Sequence, residues 1–175
     1  VESRGLGDVY KRQALDGVGG VKVYPVWAGG GTVKLVIIDA AYGVPAGSLT
    51  DAVQAAVDPV GSQGQGVGIA PIGHVVTVQG VTGTTVNIKT TLTYQDDWTW
   101  EDVRPYVEQE IDAYLGELAR DWADIDHIIV RISQIETRLL GLTGIMDIAD
   151  TSINGRAQNL ELGPDSIPVR GTING

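Results

Sequence analysis

Residues 84–94 alternate without a break. Val86, Ile88, Thr90, Leu92 and Tyr94 fall on one face, and Thr85, Asn87, Lys89, Thr91 and Thr93 fall on the other. A period of two is the pattern of a pleated strand, whose successive side chains point to opposite sides. A strand with one apolar and one polar face belongs in a sheet that is packed on one side and wet on the other. That is the habit of antiparallel sheets.

The flanking sequence supplies the rest of the elements. VKVYPVW (21–27) and TVKLVIIDA (32–40) read as a β-hairpin, with Gly29, Gly30 and Gly31 as its turn. Pro25 puts the first of these strands at an edge or ends it. Ser48 reads as a helix N-cap with Asp51 at the third helical position. Leu49, Val53, Ala56 and Val57 form the apolar stripe, and Pro59 closes the helix. A strand follows from His74.

Beyond residue 94, apolar residues recur every three or four positions at Val103, Val107, Ile111, Tyr114, Leu115, Leu118 and Trp122. This predicts a helix over 102–122, about 30 Å long. Pro105 fits best in the first turn, which favours Asp102 as the cap. HIIVR (127–131) reads as a short strand. Ser133 with Glu136 reads as a capping box for a helix through Leu140. A strand at 145–149, the turn signal Asn154-Gly155 and a return strand at 158–162 read as a second hairpin. Pro164 and Pro168 predict an extended tail.

The order is ββαβ followed by βαβαββ. Strands and helices do not alternate strictly enough for a doubly wound sheet. The expectation is an α+β protein of two small serial units, with mainly antiparallel short sheets and one long acidic amphipathic helix. The first unit spans 14–81 and the second 82–175. Residues 1–13 show neither period, resemble translated sequencing-adapter sequence, and read as a non-native leader.

Composition excludes several functions. With 175 residues and no cysteine, a disulfide scaffold, a thiolate metal site and cysteine catalysis are all ruled out. His74 and His127 are the only histidines, too few for a histidine-rich metal centre. No apolar run reaches the roughly 20 residues of a membrane-spanning helix. The formal net charge of −10 argues against nucleic-acid binding. The acidity is local: residues 96–126 hold eleven Asp and Glu against Arg104 and Arg120. They read as one solvated helix face, or else as a docking face for a basic partner.

Candidate chemistry is sparse. There is no G-x-S-x-G and no H-E-x-x-H. GSQGQGVGIAPIGH (61–74) is rich in glycine, but it follows a helix and opens a strand, the reverse of a phosphate-cradling loop. It reads as a shaped connecting loop. Asp124, Asp126 and His127 sit at a helix-to-strand junction and read as a surface turn. Trp98 and Trp100 read first as packing. The alternative is a tail-associated carbohydrate-binding module built on these two rings. A further alternative is a cell-wall hydrolase using Glu108, Glu110 or Asp112, which needs two carboxyls facing each other across a cleft.

The ordered series of segments resembles a known family. GQGVGIAPIGHVVTV (64–78) resembles the glycine-rich signature of the phage baseplate J-like proteins, wedge components of tailed-phage baseplates and related contractile injection systems. GVKVYPVWAGGGTVKLVIIDA (20–40), SLTDAVQAAVDP (48–59), HIIVRISQIETRLLGLTGI (127–145), DTSINGRAQNLEL (150–162) and IPVRGTI (167–173) continue the resemblance. It covers residues 14–175, and it implies the C-terminal portion of a longer protein, with the N-terminal part replaced by residues 1–13. It implies a structural role without catalysis or cofactor. The implied partners are further copies of the chain and other wedge, hub and tail proteins, with neither nucleic acid nor membrane insertion. The implied location is the virion, after assembly in the host cytoplasm. The candidate interface residues are Gly66, Gly68, Pro71 and Gly73 in the loop, Trp98, Trp100, Glu108 and Asp112 at the acidic helix, and Asn154 and Gly155 at the turn.

Overall fold

The computed structural model describes residues 15–175. The segment read as a leader lies outside the described residues. The chain divides into two compact units, Val1–Thr82 and Gly83–Gly175. Both mix helices with short sheets, so the protein is α+β.

In the first unit, strands β1 (Val18–Pro25) and β2 (Thr32–Asp39) pair antiparallel, with Val23 opposite Leu35 and Pro25 opposite Val33. Pro25 ends a strand that lies at the sheet edge, where its missing N–H leaves no ladder bond unmade. Helix α1 (Gly47–Val57) then crosses over and returns the chain to strand β3 (Val75–Gly80). β3 pairs with β2 in parallel, Val33 opposite Val76 and Leu35 opposite Val78. This is a parallel pair within sheets that are, as expected, mainly antiparallel. A helix between two strands carries the chain back to the same end of the sheet, and only a parallel pairing follows. The core of the unit is Val21, Val33, Leu35 and Ile37 against Val53 and Val57 of α1.

Helix α1 starts one residue before its expected cap. Ala46 is the cap, in extended geometry, and its carbonyl accepts the N–H groups of Leu49 and Thr50. Ser48 lies inside the first turn and is exposed.

In the second unit, strand β4 (Thr82–Tyr94) shows the alternating burial that its sequence predicts. Val86, Ile88, Thr90 and Leu92 are buried, and Asn87, Lys89, Thr91 and Thr93 are exposed. Thr90 is accommodated inside because its hydroxyl donates to the Ala149 carbonyl and pairs with Thr151 Oγ1 at 2.8 Å. Helix α2 (Trp100–Arg120) buries Val103, Val107, Ile111, Tyr114, Leu115 and Ala119. Trp122 lies beyond it, in a 3-10 turn (Trp122–Asp124). Trp122 is fully buried, with its indole N–H donated to the Pro164 carbonyl at 2.9 Å.

Four strands follow in the second half of this unit. β5 (Ile129–Val130) leads into helix α3 (Ile132–Leu140). β6 (Ile145–Ile153) pairs antiparallel with β4. Asn154 and Gly155 do turn the chain, with φ of 50° and 78°. The return segment then leaves β6, and β7 (Leu160–Glu161) pairs with β5. The expected hairpin is therefore only a turn. The tail is also more ordered than its prolines suggest: β8 (Ser166–Asn174) joins the sheet in the order β6-β4-β8. Pro168 is tolerated because this strand lies at an edge.

Two helix starts in this unit also differ from expectation. Thr99, not Asp102, caps α2, and Asp102 reaches back to it. The Asp102 carboxylate accepts the Thr99 N–H at 2.8 Å and the Thr99 hydroxyl at 2.7 Å. Pro105 consequently sits in the second turn. Helix α3 uses no Ser133 cap. Arg131 is its cap residue, and the Ile132 N–H is taken by Asn159 Oδ1 at 3.0 Å, a partner far along the chain.

The Thr99–Asp102 contact sets a pH dependence. The Thr99 hydroxyl first, and its N–H second, hold the Asp102 carboxyl below its ordinary value of 3.8. A lowered folded value stabilises the fold above the unfolded value, and that stabilisation is lost as pH falls through the folded one. Thermal denaturation of the wild type and Asp102→Asn is expected to differ near neutral pH and to converge in strong acid. Curves that stay parallel at every pH would refute this.

Candidate functional site

The glycine-rich loop is built around a buried carboxylate. Asp58 is 1% exposed. Its Oδ1 accepts the Gly64 N–H at 3.0 Å and its Oδ2 accepts the Val76 N–H at 2.9 Å. Gln54, one turn back on α1, adds to this. Its Nε2 donates to the carbonyls of Asp58 and Val76, and its Oε1 accepts the Val78 N–H at 2.8 Å. Gln63 donates a further bond to the Val76 carbonyl. β3 is an edge strand, and the outward groups of Val76 and Val78 would otherwise lack a partner. Side chains from α1 and the loop take the place of a fourth strand, one of the ways proteins blunt an open edge.

The loop also finishes the helix. The Ile69 and Ala70 N–H groups donate to the carbonyls of Ala56 and Val57, which belong to the last turn of α1 and have no intrahelical partner. Gly68 passes so close to them that a Cβ would stand 2.5 Å from the Val57 oxygen. Gly66 and Gly73 have φ of 70° and 85°, a region that side chains other than glycine rarely adopt. Pro71 is exposed and its carbonyl accepts the His74 N–H in a turn. The four loop candidates therefore shape one structure, and they do so as backbone.

Four carboxylates of α2, those of Glu108, Glu110, Asp112 and Glu117, divide between two arginines contributed by other elements. Arg170 of β8 donates from Nε to Asp112 at 2.7 Å and lies 3.9 Å from Glu108. Glu108 also accepts from Arg104 at 2.9 Å. Arg138 of α3 bridges Glu110 and Glu117 and stacks over the Tyr114 ring, 4.9 Å from its centre. Each guanidinium is held further toward its charged form, chiefly by its bond to Asp112 for Arg170, to Glu117 for Arg138 and to Glu108 for Arg104. Glu108 and Asp112 converge on one cation from one side of one helix. Two carboxyls facing each other across a cleft are a different arrangement.

The two tryptophans part company. Trp98 is half-buried over Gly144, where a Cβ would meet its ring at 2.5 Å, and Gly144 itself has φ of 96°. Trp100 borders a cleft of about 250 Å³ together with Arg104, Glu108, Arg170, Ile173 and Asn174. Trp98 does not line that cleft, so the rings form no shared platform. Asn154 does more than turn the chain. Its Oδ1 accepts the Asn87 N–H at 2.9 Å and its Nδ2 donates to the Thr85 carbonyl at 3.0 Å. Asn87 Oδ1 in turn accepts the Thr172 N–H and hydroxyl from β8. Gly155 completes the turn in open space. Asp124, Asp126 and His127 are exposed, and no cluster able to hold a metal ion occurs among the described residues.

This architecture has relatives. Residues 7–80 match the baseplate J-like central domain, and residues 86–175 match the baseplate J-like protein C-terminal domain. The chain belongs to the baseplate J-like family. The junction between the two family domains falls within β4, close to the division between the two compact units. The first match begins inside the segment read as a leader.

Two proteins of Bacillus subtilis (strain 168) resemble the chain. It is 37% identical to the uncharacterised protein YqbT over 167 residues and 31% identical to the phage-like element PBSX protein XkdT over 166. Each alignment covers 94% of this chain and 46% of the relative, so the chain spans about half the length of these two relatives. A cryo-EM structure of the anti-feeding prophage (AFP) baseplate, 6-fold symmetrised, shares the fold with a TM-score of 0.55. It covers 90% of this chain and 34% of that one at 9% identity.

The residues that sequence reasoning missed are Gln54, Asp58, Asn87 and Arg170. Two substitutions test their weight. Asp58→Ala leaves the Gly64 and Val76 N–H groups without their acceptor, and is expected to lower stability by roughly 3 kcal/mol in urea denaturation. A loss within 0.5 kcal/mol, the usual range of a surface change, would remove the pin from the account. Asn154→Gly keeps the left-handed turn but deletes both cross-strand bonds. It is expected to lower stability by about 1–2 kcal/mol, whereas a neutral effect would reduce Asn154 to its backbone role.

Proposed function

We propose that the chain is a structural component of a phage-tail baseplate, acting through protein–protein interfaces and carrying out no catalysis. The observation that carries this reading is that both domains of the baseplate J-like family are matched, in order, over nearly the whole chain. Similarity to a protein of a phage-like element and a shared fold with a baseplate structure support it. The site geometry agrees in kind. Glu108, Glu110, Asp112 and Glu117 of α2 are paired with Arg104, Arg138 and Arg170, and the loop glycines shape a backbone.

On this reading the protein is made in the host cytoplasm and ends in the virion tail. Its partners are further copies of itself and other wedge, hub and tail proteins. Trp98, Trp100 and the exposed acids of α2 are contacts available to those partners. A salt-sensitive encounter with a basic surface fits the local charge.

The test is where the protein sits in the particle. Antibody raised against the chain, followed by gold labelling of induced tail particles, is expected to mark the tail tip. Label along the tube, on the capsid, or only on cell wall outside particles would overturn the assignment.

A further inference from the structure

The cleft that Trp100 borders runs between the first turns of α2 and strand β8. Trp100, Arg104 and Glu108 line its helix side at four-residue spacing, so they form one stripe on α2. Residues 170–174 line its other side. Alternate residues of a strand point to opposite faces, so a cleft that touches five in a row follows the rim of β8. That rim is an edge. The sheet order is β6-β4-β8, and among the described residues no strand pairs with the outer side of β8. Pro168, which removes a donor from this edge, precedes the cleft, and residues 170–174 contain no proline. A groove between an edge strand and a helix suits an extended segment that adds itself to the sheet. Its volume of about 250 Å³ is small beside the roughly 300–1,000 Å³ of small-molecule pockets.

The charge lining the cleft reverses that of the helix as a whole. Two guanidinium groups, Arg104 at 53% exposure and Arg170 at 31%, line it with one carboxylate, Glu108. Arg104 donates from Nε to Glu108, and Arg170 donates from Nε to Asp112. These bonds orient both groups, and their terminal nitrogens make no hydrogen bond among the described residues. Glu108 chiefly keeps Arg104 charged, while Arg170 opposes that charge. An anion set between the two relieves the opposition and fills the open forks, the geometry in which arginine grips a carboxylate best. Trp100 is braced beside them, since a Cβ on Gly175 would stand 2.7 Å from its ring. An aromatic anchor already held in place loses little freedom when a partner covers it.

We infer that this cleft is the docking groove for an extended acidic segment of a partner protein, which lies along β8 and sets a Glu or Asp side chain between Arg104 and Arg170. Charge selects the occupant. The eleven acids of residues 96–126 suit a basic surface, but a basic segment entering here meets two guanidinium groups. An acidic segment is turned away by most of the chain and admitted at this one groove. The inference rests on the assembly reading for the existence of a protein partner, and adds the groove, its chemistry and the strand-like form of what fills it.

NMR titration of the nitrogen-15-labelled whole chain at constant ionic strength tests it. The probes are a peptide alternating Val and Glu, its Val–Lys and Val–Gln counterparts, and free glutamate. The Glu peptide is expected to bind saturably and to move the Nε–H signals of Arg104 and Arg170, the Trp100 indole signal and the amides of residues 170–174. The other three probes are expected to bind at least about tenfold more weakly. Arg104→Gln is expected to weaken the Glu peptide by about tenfold. Its ion pair stays within its own helix, so unchanged signals elsewhere will show the fold intact. Equal binding of the three peptides, shifts confined to other faces, no binding of the Glu peptide, or full affinity in Arg104→Gln would overturn the groove. Free glutamate binding as tightly as the peptide would overturn the extended segment and leave a site for small anions. The titration reads the cleft and the gold label reads the particle, so this inference and the baseplate reading fail separately.

Discussion

A three-stranded sheet has one interior strand and two edges, and every outward amide on an edge needs a partner. Much of this molecule follows from that constraint. In the first unit the outer edge of β3 is closed by the carboxylate of Asp58 and the amides of Gln54 and Gln63. In the second unit Asn154 ties the end of β6 to β4, and Asn87 ties β4 to β8. Both units use the same device. A short polar side chain with fixed geometry stands in for backbone that a longer sheet would supply. Helix α1 depends on it too, because the loop that Asp58 holds is the loop that satisfies the last carbonyls of the helix.

The parts of the fold that were legible in the sequence are those governed by a local period. The alternation of β4 and the stripe of α2 announce their buried faces directly, because each element buries one side against its own unit. What could not be read were contacts between residues far apart. Asp58 looks like a residue ending a helix before Pro59, and nothing local shows that its carboxylate reaches Val76. Asn159 caps α3 from 27 residues away, which makes the Ser133 signal redundant. The tail after Pro164 carries no strong alternation, and it is a strand because β4 has a free side to receive it. Of the candidate site, the importance of the loop was visible in its glycines. Its anchors were not.

The acidic helix shows how composition alone can mislead. A run with a formal charge of −9 suggests an undivided negative face, yet Arg170 and Arg138 arrive from β8 and α3 and neutralise its middle. Exposed ion pairs of this kind contribute little to stability individually. Their consequence here is more one of register. Arg170 reaches both Glu108 and Asp112, so it ties the last strand of the unit to one side of the helix that covers the sheet.

The assembly reading gives this local precision a purpose. On the proposed reading the chain presents surfaces to several neighbours at once, and a surface that shifts loses affinity for all of them. Rigid loops are one answer, and by entropy alone a glycine-rich segment is a poor choice for rigidity, since glycine loses more freedom on folding than any other residue. Here the glycines serve close approach. Gly68 lets the chain pass against the end of α1, and the left-handed Gly64, Gly66 and Gly73 let it fold tightly enough for one carboxylate to hold it. The entropic cost is offset by hydrogen bonds that no bulkier sequence could reach. The result is a loop with a hydrogen-bonded backbone that packs Ala70 into the core and leaves Val67 and Ile72 exposed.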